Sequence, residues 1–138
     1  MGYGTNGLTF NTLRQANLRR LPEFKNAQGE ICHTHPTGGD WSFNDWLTAV
    51  AGELGELANL LKKVRRGDFT VEELQPQIRD EIADVNIYLD ILALQFDIDL
   101  GSAIKDKFNV VSDRVGSRVY IGGDGDWHLH PEPEGKDK

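Results

Sequence analysis

Residues 42–66, SFNDWLTAVAGELGELANLLKKVRR, and residues 71–96, VEELQPQIRDEIADVNIYLDILALQF, decide the fold. In the first stretch Trp46, Val50, Leu57, Leu60 and Val64 recur at helical spacing and share one side of a helix. Ser42 stands where an N-cap belongs, and Lys62, Lys63, Arg65 and Arg66 followed by Gly67 mark the far end. In the second stretch Leu74, Ile78, Ile82, Val85, Leu89, Leu92 and Phe96 predict the covered face. Thr70 is the candidate cap, Glu72 and Glu73 suit the first turn, and Pro76 is tolerable only because it lies near that start. Helices are therefore predicted over 42–66 and 71–96.

Four acids fall among these apolar positions. Glu53 interrupts the first stripe, Glu56 lies at its edge, Glu81 borders the second face, and Asp84 continues a row with Tyr88. Withdrawing one ionised carboxylate from water costs on the order of several kcal/mol, and four together also repel one another. One E-x-x-E on a solvated helix says little. Two acidic pairs at core-facing positions on consecutive helices call for a counter-charge, and a divalent cation supplies it. All-oxygen ligation selects a hard ion, Mg²⁺ with Mn²⁺ as a substitute, over Zn²⁺. Neither pair is followed by the histidine of a di-iron bundle, and no EF-hand loop occurs.

Outward from the two long helices, Leu8 to Arg20 reads as a first short helix with imperfect spacing of Leu8, Leu13, Ala16 and Leu18. Residues 21–40 carry Pro22 and Pro36 and read as a long loop or arm. Residues 102–115 form a fourth helix ended by Gly116, and 118–121 a short extended segment. Residues 122–138 are too polar and too rich in Gly and Pro to build a core, and read as a flexible tail. Ile87, Ile91 and Leu94 make the third helix apolar on further sides, which implies a second subunit. The expected fold is all-α, with a four-helix-bundle-type core and a long N-terminal arm, assembled as a helical dimer or tetramer. Residues 1–121 are expected to form a single domain.

The 22 acidic residues outnumber the 15 basic ones, and a net charge of −7 argues against a protein that coats nucleic acid. No stretch has transmembrane length or the pattern of a signal peptide, and the single cysteine, Cys32, suits a reducing compartment. A soluble cytoplasmic protein is the expectation. Cys32, His33 and His35, or His128 and His130, lack the paired framework of a structural zinc site.

AGELGELANLLKK (51–63) followed by DEIADVNIYLD (80–90) resembles the E-x-x-E and E-x-x-D core of all-α nucleotide pyrophosphohydrolases, the MazG-like branch above all. DWSFNDW (40–46) and KFNVVSDRVGS (107–117) are similar to segments of MazG-like proteins and of dimeric dUTPases and dCTPases, so the likeness spans about 41–118. It implies Mg²⁺-dependent hydrolysis of nucleoside triphosphates between the α and β phosphates, in nucleotide-pool sanitation or balancing. By resemblance Glu53, Glu56, Glu81 and Asp84 hold metal, and Glu53 or Glu56 serves as the base. Lys107 and Arg114, with Lys63 and Lys105 as further candidates, meet phosphate; Asn109 meets phosphate or sugar. Trp41 and Trp46 are candidates to stack on the base, although Trp46 is equally placed for the core, and Tyr88 to support a ligand carboxylate or touch the sugar. Alternatives are the same fold acting on phosphoribosyl-ATP or a signalling nucleotide, and a non-catalytic nucleotide-binding helical oligomer.

Overall fold

The structure, a computed structural model, describes residues 7–31 and 41–135. Cys32, His33 and His35 lie outside the described residues. Four α-helices appear among them: α1 (Phe10–Arg20), α2 (Phe43–Arg65), α3 (Val71–Gln95) and α4 (Leu100–Val115). A two-stranded antiparallel hairpin, β1 (Val119–Ile121) and β2 (Trp127–Leu129), follows them. The all-α, helical-bundle expectation holds. The chain divides into two compact units, Met1–Ile98 and Asp99–Lys138. No helix among the described residues is long and apolar enough to cross a membrane.

In the first unit, α2 and α3 form a helical hairpin whose starts are written locally. Ser42 caps α2 and Asp45 returns the bond to the Ser42 amide; Thr70 and Glu73 repeat this capping box on α3. Gly67, at φ 82°, makes the left-handed turn that leaves α2, a conformation that strains residues with a Cβ. Phe43 near the start of α2 stacks on Phe96 just past the end of α3, their centroids 4.4 Å apart.

The covered face of α2 is the one predicted, with Trp46 and Val50 buried and Glu53, Leu57, Leu60 and Val64 half-buried. The covered face of α3 is shifted from the prediction. Leu74, Ile78, Glu81, Val85, Tyr88, Leu92 and Gln95 form it, whereas Ile82, Leu89 and Phe96 are exposed. Glu81 thus lies within the covered face rather than beside it.

α1 docks on α3 through polar groups. Asp90 is fully buried and receives Arg14 Nε at 3.2 and 3.3 Å and Asn17 Nδ2 at 2.9 Å, while the Arg14 guanidinium also reaches the Ile98 carbonyl at 2.6 Å. The apolar centre beside this network is Leu21, Trp46, Ile91 and Leu94. Leu21, the first residue of the expected arm, is therefore core. It opens a 3₁₀ turn, Leu21–Glu23, after which Lys25 bridges to Ile31.

In the second unit Asp99 caps α4 through Ser102, and Gly116, at φ 70°, ends the helix as expected. Beyond Ile121 the tail expectation needs correction, because Trp127–Leu129 pairs with β1. Tyr120 lies opposite His128, stacks on it, and stacks on His130 at 4.1 Å. His128 also reaches the Asp124 carboxylate at 2.9 Å. Asn109 holds this hairpin on α4, accepting from the Ile121 amide at 2.8 Å and donating to its carbonyl at 2.9 Å.

Candidate functional site

Glu53 from α2 meets Glu81 and Asp84 from α3, each offering an oxygen within 4.8 Å of the others. The convergence follows from geometry, since Glu53 occupies the covered stripe of one helix and Glu81 that of the next. Asp84 follows Glu81 by about one turn. Glu56 is exposed, yet its charge raises the pKa of both Glu53 and Glu81.

The cluster is electrostatically unresolved. Burial pushes Glu81 up to about 7, with the neighbouring Glu53 and Glu56 carboxylates adding to the shift. Glu53 is also raised, again chiefly by burial; the hydrogen bond from Glu81 opposes the shift, and Asp84 and Glu56 reinforce it. Both carboxyls are shifted upward and each figures among the causes of the other's shift, so the pair titrates as a unit. One oxygen of Glu81, Oε2, is buried with no hydrogen-bond partner. A buried acceptor left alone costs about 1–3 kcal/mol. Orphaned oxygen, mutual repulsion and an all-carboxylate donor set together fit a hard divalent cation.

Beside the cluster lies a cavity of about 220 Å³. Leu21, Trp46 and Ile91, all buried, form its floor, and Arg20, Asp84 and Tyr88 stand among the more accessible residues that border it. Burial raises the pKa of the Tyr88 hydroxyl, as do the charges of Glu53 and Asp84, while Arg20 opposes them. Trp46 is both core and cavity wall, and the half-exposed Trp41 ring tilts against it with centroids 4.8 Å apart.

The remaining sequence candidates belong to other segments of the chain. Lys63 is exposed in the last turn of α2. Lys105, Lys107 and Arg114 belong to α4 in the second unit, where Lys105 lies 3.7 Å from Asp106 and Lys107 borders a shallow apolar surface with Ile104 and Phe108. Asn109, expected at phosphate or sugar, has both ends of its amide engaged by Ile121.

Two residues that border or support this site escaped the sequence reading. Arg20 carried no motif. Asp90, an acid within the apolar run Ile87 to Leu94, was a visible signal of a buried ion pair, although its partners lie 76 and 73 residues away. No family model matches this chain, and no curated protein or solved structure matches it.

Proposed function

We propose that this protein is a metal-dependent nucleoside triphosphate pyrophosphohydrolase, cleaving (deoxy)nucleoside triphosphates to the monophosphate and pyrophosphate. The observation that carries the proposal is the convergence of Glu53, Glu81 and Asp84, with Glu81 Oε2 buried and unpartnered. The MazG-like order and spacing of the acidic pairs, and the aromatic-floored cavity next to Asp84, support the same reading.

Mg²⁺ held by Glu53, Glu81 and Asp84, with Glu56 at the margin, would neutralise phosphate charge and favour attack by water at the α phosphorus. Glu53, which α2 brings to the two acids of α3, is the candidate base for that water. Asp84 joins the acidic cluster to the cavity, so a ring on the floor beside Trp46 leaves its phosphates near the carboxylates. The exposed Leu54, Leu61 and Ile82 on α2 and α3 suit a helical dimer.

The test is turnover of a panel of NTPs and dNTPs with Mg²⁺ or Mn²⁺, resolving pyrophosphate from orthophosphate. Pyrophosphate is expected, together with loss of turnover in Glu81→Gln. Orthophosphate would contradict the assigned bond. No turnover across the panel would leave a nucleotide-binding oligomer as the better account.

A further inference from the structure

We propose that Arg20 is the guanidinium that grips the substrate's phosphate chain at the rim of the cavity. The inference rests on the pyrophosphohydrolase reading for its substrate class, and on the first unit's own geometry for its residue.

A polyphosphate needs more positive charge than a cation already shared among carboxylates can offer. Of the nine cations of the first unit, Arg20 is the one that lines the cavity. Arg14 is committed to Asp90 and the Ile98 carbonyl. Lys62, Lys63, Arg65 and Arg66 begin nine residues beyond Glu53 on α2, about 14 Å along the axis at 1.5 Å per residue. Arg20 instead borders the same cavity as Asp84 and Tyr88, and its charge is felt at the Tyr88 hydroxyl.

The state of Arg20 fits a ligand-seeking group. No carboxylate among the described residues pairs with it, and its guanidinium rests 5.8 Å from the centre of the Phe24 ring. That contact orients the planar fork without consuming its N–H donors, leaving them for phosphate oxygens. Size separates phosphate from base as its partner. Whole-ligand pockets run from about 300 to 1,000 Å³, so a cavity of about 220 Å³ takes one ring and leaves the phosphates outside it. Arg20 is exposed whereas Leu21 and Trp46 are buried, which puts its charge on the outer side.

The experiment is titration of Mg²⁺-loaded wild type, Arg20→Ala and Arg20→Lys with inorganic tripolyphosphate, alongside steady-state kinetics on a panel of dNTPs. Charge-assisted hydrogen bonds predict about a ten- to hundredfold loss of tripolyphosphate affinity in R20A. KM should rise equally for every base, and R20K should recover part of the loss. Equal tripolyphosphate affinity in wild type and R20A, or a loss confined to certain bases, overturns the assignment. Equal weakening in R20A and R20K with lowered melting temperatures would instead make Arg20 a docking residue of α1. If wild type turns over no nucleotide, the pyrophosphohydrolase reading fails, and the titration still decides Arg20; wild type that binds no tripolyphosphate overturns it as well.

Discussion

Replacing Arg14 by Met removes the charged partner of the fully buried Asp90 while keeping an unbranched apolar stem. Asp90 would retain the Asn17 amide at 2.9 Å but lose the guanidinium contacts at 3.1 to 3.3 Å. Breaking a buried pair from one side costs about 3–5 kcal/mol, because the remaining charge has neither water nor partner. The Arg14 side chain keeps 15% of its exposure, so some water reaches the pair and the lower end, about 3 kcal/mol, applies. Adding Asp90→Asn deletes the stranded charge yet preserves an acceptor for Asn17. The double variant should therefore be more stable than Arg14→Met alone, by about 2 kcal/mol. Urea unfolding followed by helical circular dichroism measures all three changes. An Arg14→Met cost under about 1 kcal/mol, or further destabilisation by the second substitution, would refute the stranded-charge argument. A functional echo is expected too: Arg20 leaves the same helix, so loosening α1 should weaken tripolyphosphate binding.

Further outcomes follow from the carboxylate cluster and the hairpin. Glu81 has a folded pKa above its unfolded value, so the folded state binds more protons between about pH 4.5 and about 7. Stability without metal must then fall as pH rises through that window, and melting temperatures at pH 5 and pH 8 with a chelator present should show it. Mg²⁺ binding near pH 6 should release a proton, detectable as a dependence of calorimetric heat on buffer ionisation enthalpy. Glu81→Gln should raise the melting temperature of the metal-free protein and abolish Mn²⁺ binding measured by electron paramagnetic resonance; retained binding would remove Glu81 from the ligand set. A Cβ added at Gly122 would stand 2.9 Å from both Asp124 Oδ1 and His128 Cδ2, so Gly122→Ala should displace His128. Loss of the Asp124 contact, which holds that carboxyl below its ordinary range, should shift its titration upward by NMR.

Helix starts and ends were legible because they depend on neighbours in sequence: Ser42, Thr70, Gly67 and Gly116 all act where expected. The covered face of α3 was less so. Ile82 and Leu89 are as apolar as Ile78 and Leu92, yet only the latter pair is covered, and spacing alone cannot rank four candidates on a helix apolar on several sides. The α1 pattern looked imperfect because two inner positions, Arg14 and Asn17, are polar and satisfied by a distant acid. In the C-terminal stretch, composition masked a hairpin that Gly122, Gly123, Asp124 and Gly125 signal between Val-Tyr-Ile and Trp-His-Leu. At the candidate site the carboxylates could be found from the sequence, since Glu53 interrupts one apolar stripe, Glu81 borders the next, and Asp84 follows it by one turn. Arg20 could not, because its place depends on how α1 meets α3.

The separations along the chain also favour an order of assembly. Glu53 and Glu81 are 28 residues apart on a capped helical hairpin, whereas Arg14 and Asp90 are 76 apart. Closing the longer loop costs about 0.9 kcal/mol more in chain entropy, before any strain or residual structure. The acidic half of the site is thus made from near neighbours, and α1 brings the other wall only through distant contacts. Under the proposed metal site, an ion binding the hairpin would bias the chain toward the partly built state on which α1 lands, and metal supply would then set folding yield as well as turnover.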